Sequence, residues 1–335
     1  MVQPPLLTPA MCKSVTVLAT AERDGEMPPG AAEAFVDETM HLPLTRISDR
    51  EHAIRMVANK VGARQKAQLG GRRRNAARGV TGWYDLFSGD GFRRERFLLE
   101  VNEGAPSAFL LAVFLRRLND WVPQVREAAR RAAENVLDST SPDIVGDVLW
   151  SILSVKNSWK RMRGDESAVL DAGFERPGIT PYLVRRLLSE TAGPTARVLQ
   201  QACRGAVLDP YLPRLAEAAL QPAVRATAYR MLMEQRATWV DGWRWRWTDK
   251  SLGERVRESK IAERSLTIDV DLRVLLLAAA NDPSAAVRRA AGDALISHRD
   301  ELGDFVTVLA AKLATDPYPS IADRGRFILR ERSVE

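Results

Sequence analysis

Cysteine and histidine are nearly missing from this chain: Cys12 and Cys203 are its only thiols, and His41, His52 and His298 its only imidazoles. Two cysteines cannot build a disulfide framework, so a reducing, cytoplasmic setting is the expectation. No His-x-x-x-His or Cys-x-x-Cys spacing occurs, and no metal ligands are nominated. No apolar run reaches the roughly eighteen residues of a membrane-spanning helix, so no membrane partner is expected. The short apolar stretch from Val15 to Ala19 follows a single lysine, Lys13, too little charge for a secretory signal. A Walker loop and a Gly-x-Ser-x-Gly elbow are both absent, so no cofactor and no catalytic residue is assigned.

Lysine is scarce too, with 8 against 41 arginines. The net charge of +6 raises the expectation of an anionic partner, although a GC-rich genome would by itself favour arginine and alanine. Hydrophobic residues make up 45% of the 335, enough for a large packed core.

The core is written as a repeat. The segment from Val274, "VLLLAAANDPSAAVRRAAGDALISH", aligns without a gap on "VLAAKLATDPYPSIADRGRFILRER" from Val308 at an offset of 34. Asp282 falls on Asp316, Val287 on Ile321 and Leu295 on Leu329. A third copy runs from Val113, where Asp120, Val125 and Arg126 match Asp282, Val287 and Arg288. A looser copy places Val224 and Arg225 at the Val-Arg position. Each copy reads as an apolar helix, a turn whose Asp caps the next helix, and a second helix with small residues along one face. Pro283 and Pro317 are placed at or near the first helical position. Such a hairpin cannot bury its apolar face alone, so copies must stack.

The pattern Asp-Pro-x-x-x-Val-Arg-x-x-Ala, best kept in "NDPSAAVRRAAGDAL" and next in "NDWVPQVREAARRAA", resembles the HEAT and HEAT-like repeat family. The resemblance implies an all-α right-handed superhelix of about six helical pairs over about residues 106–330. It also implies that Asp120, Arg126, Asp282 and Arg288 form a structural ladder between adjacent repeats. The pairs are expected near 106–118 with 122–137, 142–154 with 158–172, 180–190 with 194–207, 210–219 with 222–236, 271–280 with 284–297, and 301–314 with 318–331. Residues 1–84 read as a separate, basic, partly helical region ahead of a repeat domain at 85–335. A capped helix is expected over 48–62, with Glu51 three residues after Ser48.

The repeat is interrupted over about 237–270. There "TWVDGWRWRWTDK" places Trp239, Trp243, Trp245 and Trp247 within nine positions, the last three alternating with Arg244 and Arg246. Period-two alternation is a strand signal, and "SLTIDV" at 265–270 is the expected partner strand of a small hairpin. Trp243, Trp245 and Trp247 share one side of that strand. The first expectation packs them on neighbouring helices, with Arg244 and Arg246 reaching out to a partner. The alternative makes the tryptophans the recognition surface, Trp and Arg being the residues most enriched at binding hot spots.

A second binding candidate is "GARQKAQLGGRRRNAARG", with Arg72, Arg73 and Arg74 at its centre, inside a span from residue 53 to 84 that holds no Asp or Glu. A basic arm of this kind can neutralise phosphates. Some HEAT-like solenoids are alkylpurine DNA glycosylases that flank a damaged base with Trp and Asp. The pairing of Asp241 and Asp249 with the Trp cluster is similar in kind to that family, but it sits on an insertion, and no catalytic residue carries over. The expected function is a non-enzymatic scaffold or adaptor for a protein partner. The alternative is a nucleic-acid-binding accessory protein, with a glycosylase third.

Overall fold

The computed structural model describes residues 5–68 and 82–332, the side chains of 62–68 excepted. The described residues are mostly helical, with one two-stranded antiparallel sheet among them. It divides into two compact units, the first formed by residues 1–152 and 159–173, the second by 153–158 and 174–335.

The first unit carries α1 (Pro9–Asp24), α2 (Ala31–Met40), α3 (Ile47–Gln68), α4 (Gly91–Glu100), α5 (Ala108–Arg116), α6 (Pro123–Asp138), most of α7 (Pro142–Leu153) and α8 (Gly164–Gly173). A short 3-10 turn, Gly82–Phe87, drives Trp83, Tyr84, Leu86 and Phe87 into its core. The Trp83 ring meets Phe97 edge-on at 5.2 Å, and Phe35 meets Tyr84 at 5.3 Å. The N-terminal helices therefore share one core with α4 to α6. The helix expected over 48–62 runs six residues further, and Glu51 has a larger task than a capping box. It is buried and accepts hydrogen bonds from Arg55, Arg116 and Arg117.

The second unit carries α9 (Ile179–Ser189), α10 (Thr195–Ala202), α11 (Leu212–Ala218), α12 (Pro222–Met233), the strands β1 (Arg236–Asp249) and β2 (Glu254–Ser265), then α13 (Leu272–Ala280), α14 (Ala285–Ser297), α15 (Phe305–Ala314) and α16 (Pro319–Arg332). Pairs α13/α14 and α15/α16 repeat at the 34-residue offset read from the sequence. The second helices touch in order, α10 to α12, α12 to α14 and α14 to α16. Small residues permit this. A Cβ on Gly325 would lie 2.5 Å from the Ala310 carbonyl oxygen, so α15 and α16 meet at backbone distance.

One side-chain device recurs between hairpins. Arg288 forks the Asp316 carboxylate through Nε and Nη2 at 2.6 and 3.2 Å, while its Nη1 donates to the Asp282 carbonyl of its own turn at 3.0 Å. Arg225 treats Asp282 and the Ala219 carbonyl in the same way. In the first unit Arg94 does so with Asp120 and the Ser88 carbonyl. Arg126 donates to the Asp120 carbonyl at 2.9 Å but faces Glu166, at 3.6 Å, where the pattern calls for an Asp. Asp120 is held by Arg94 and Arg117 rather than by Arg126. The Asp role also differs from the expected helix cap: Asp282 and Asp316 accept the backbone N–H two residues on and close the turn, and Ser284 is the N-cap of α14. Pro283 and Pro317 accordingly lie ahead of the helices, and Pro123, Pro222 and Pro319 hold the first-turn positions.

Two outcomes follow from this ion-pair architecture. Arg288→Ala should lower stability by about 1–3 kcal/mol in urea unfolding, and Arg94→Ala, which leaves the buried Asp120 with Arg117 as its remaining guanidinium partner, by about 1.5–3 kcal/mol. For Glu51, burial alone would raise the pKa, but Arg117, Arg55 and Arg116 outweigh it and hold the carboxyl at about 2 against an ordinary 4.5. A depressed folded-state pKa means this stabilisation is complete above the ordinary value and is lost as pH falls from there to about 2. Glu51→Gln should remove roughly 3 kcal/mol at neutral pH and flatten the stability profile across that acid window.

Candidate functional site

Both strands of the insertion belong to one hairpin, but its second strand is Glu254–Ser265, not 265–270. The register pairs Arg236 with Ser265 at the root and Asp249 with Glu254 at the tip. Lys250 to Gly253 make the turn, with Gly253 at φ 70°.

The root is fastened to the second unit. Arg264 forks the fully buried Asp209 and donates to the carbonyls of Cys203, Arg204 and Gly205. Burial would raise the Asp209 pKa, but the bonds from Arg264 and Thr267 hold it low. Gln201 donates to the Val240 carbonyl at 2.9 Å, and Arg204 bonds Asp241 and lies over the Trp239 ring. Ala237 is buried and Trp239 half-buried. Ala237, Trp239, Ala262 and Arg264 stand on the side of the ribbon that meets the helices, and on β2 the burial alternates accordingly.

Beyond Val240 the side is inverted. Between the pairs Val240–Ile261 and Trp243–Ser259, two residues of β1, Asp241 and Gly242, oppose one of β2, Lys260, and form a bulge. Gly242 sits at φ 116°, a conformation that a residue with a Cβ rarely adopts. The extra residue puts Trp243, Trp245 and Trp247 on the side opposite Trp239, the side turned away from the root contacts.

The consequence overturns the expectation that these tryptophans pack on helices. Trp243, Trp245 and Trp247 are 49, 57 and 49% exposed. Guanidiniums of the other strand lie over them: the Arg257 guanidinium lies 4.4 Å from the Trp243 ring centre, and Arg255 lies 4.6 Å from Trp245 and 5.8 Å from Trp247. Arg255 and Arg257, which the sequence reading passed over, thus complete the outer face. The alternation of Arg255, Arg257 and Ser259 with Val256 and Glu258 was the available signal. Arg244 and Arg246 stand on the other face, exposed but sharing Glu258 at 2.9 and 3.0 Å, which holds the Glu258 pKa low.

The remaining sequence candidates are spoken for or lie elsewhere. Asp241 bonds Arg204 and Lys260, and Asp249 is taken up by Ser251 and Leu252 in the turn, so both carboxylates are already engaged. Burial pushes the Cys203 thiol up to about 12, which keeps it protonated and unreactive at neutral pH. Among the described residues no group of His, Cys, Asp and Glu side chains gathers as a metal site. Arg72, Arg73 and Arg74 lie outside the described residues.

Because Trp245 is more than half exposed, Trp245→Ala should change urea unfolding of the helical body by less than about 0.5 kcal/mol, where a buried ring would cost about 3–5 kcal/mol. Gly242→Val should cost the hairpin about 1–3 kcal/mol and reduce the acrylamide-quenchable tryptophan fluorescence as the bulge is lost. Deleting Gly242 removes the bulge residue but keeps Trp243 opposite Ser259, and should preserve quenching.

A scan against protein-family models finds no match for the chain, and a search of curated proteins finds none either.

Proposed function

We propose that the chain is a non-enzymatic interaction protein, in which a HEAT-like array of helical hairpins carries a tryptophan–arginine ribbon to a partner protein. The observation that supports this is the exposure of three large aromatic rings on one side of a protruding ribbon. Exposed apolar patches of this kind are costly in water, and tryptophan and arginine are the side chains that dominate binding energy at protein interfaces. The scaffold part of the reading draws on the repeated contacts of α10, α12, α14 and α16 and on the Arg–Asp steps between hairpins.

A nucleic-acid partner is the second reading, favoured by Arg255 and Arg257, which have no carboxylate partner among the described residues. One feature weighs against it: guanidiniums already lie over the indole rings on which unstacked bases would stack.

The test replaces Leu252, exposed at the turn, with a photo-cross-linking residue in otherwise intact protein. In native lysate the adduct should be protease-sensitive and indifferent to nuclease, and it should be lost when Trp243, Trp245 and Trp247 are all changed to Ala. A nuclease-sensitive adduct would overturn the protein-docking reading.

A further inference from the structure

The outer face of the hairpin is chemically one-sided. Trp243, Trp245, Trp247, Arg255 and Arg257 offer only N–H donors, and the Ser259 hydroxyl is the only acceptor among their side chains. With their guanidinium carbons 4.6 and 4.4 Å over indole centres and no carboxylate partner among the described residues, Arg255 and Arg257 keep N–H groups for a carboxylate, which a guanidinium can bind as a pair. The opposite face is different, since Glu258 already serves Arg244 and Arg246. Toward the tip the ribbon therefore divides its charges: on one side a carboxylate is shared by two arginines, while Arg255 and Arg257 on the other have no carboxylate partner among the described residues.

Building on the protein-docking reading, we infer that this outer face takes an acidic, extended segment of the partner protein, whose carboxylates at alternate positions seat on Arg255 and Arg257 while the indoles cover its stem. Arg255 and Arg257 are two residues apart on one strand, about 6.6–6.8 Å along it, and alternate side chains of an extended partner segment repeat at the same spacing. A second copy of the chain does not fit, because joining like faces sets arginine against arginine with no carboxylate between them. A partner that supplies acceptors in register satisfies every free donor of the face and closes over the rings.

The test titrates the full-length protein into two fluorescein-labelled dodecapeptides of equal composition. In one, Asp and Thr alternate; in the other, all Asp precede all Thr. Anisotropy reports binding, and circular dichroism confirms that each variant keeps its helical body. The alternating peptide should bind more tightly than the block peptide, and its affinity should fall as salt rises. The Arg255→Ala/Arg257→Ala variant should weaken it by about tenfold or more, and Arg244→Ala/Arg246→Ala by less than about twofold. The Arg255→Lys/Arg257→Lys variant retains both charges and should fall between, because an ammonium cannot pair both carboxylate oxygens in plane. The inference is overturned if the alternating peptide does not bind, if it binds the Arg255→Ala/Arg257→Ala variant equally well, or if oligothymidylate of equal charge binds more tightly. Loss of peptide binding with the Leu252 protein adduct retained would sink this inference and leave the docking role standing; a nuclease-sensitive adduct would remove both.

Discussion

The arginine that spans from one helical hairpin to the next is the contact on which this architecture rests. Its position is doubly fixed. Nη1 is tied to a carbonyl in its own turn, and the other two nitrogens fork a carboxylate in the following turn. The same carboxylate closes its own turn by accepting the backbone N–H two residues on. One ion pair thus sets the conformation of two turns and the distance between two hairpins. Apolar burial along α12, α14 and α16 supplies the driving force, but it is non-directional and would tolerate sliding. The fork does not tolerate it, because a bidentate guanidinium–carboxylate pair has one good geometry.

A body stiffened in this way can hold a ribbon that has no core of its own. A two-stranded hairpin is marginal in water unless something fastens it. Here Arg264 fastens the root, reaching a buried carboxylate and three carbonyls just past the end of α10. At the tip the cation–aromatic ladder takes over, with arginines of one strand covering tryptophans of the other. The ladder also accounts for which surface is left to a partner. Among the described residues Arg255 and Arg257 have no carboxylate partner, which leaves their N–H groups for acceptors from outside the hairpin.

Much of the helical plan was legible in the residues. The Val-Arg pairs at 125–126, 224–225 and 287–288, followed by small residues, mark second helices because those helices must approach closely while an arginine bridges outward. Arg225 and Arg288 show that geometry. Other partners were not legible. Arg94 makes the same fork from "GDGFRRERF", which lacks the Val-Arg-x-x-Ala signature, and its signal is only a turn carbonyl six residues behind. Glu166 stands in for an Asp because α8 begins at Gly164, later than the spacing suggested. The aromatic core around Trp83 was hidden because a 3-10 turn has no long hydrophobic period to read.

The sequence by itself determined that "WRWRW" is a strand, since side chains alternating in kind at period two fit a ribbon and no helix face. It also determined that the three tryptophans share a side. Which side could not be read there, because a face is defined only by what the strand packs against and by how many residues oppose each partner. One bulge at Asp241 and Gly242 shifts that count by a single residue. Tertiary packing holds the root by Arg264 and Trp239, the bulge reverses the pleat beyond it, and the tryptophans emerge in solvent rather than on the helices.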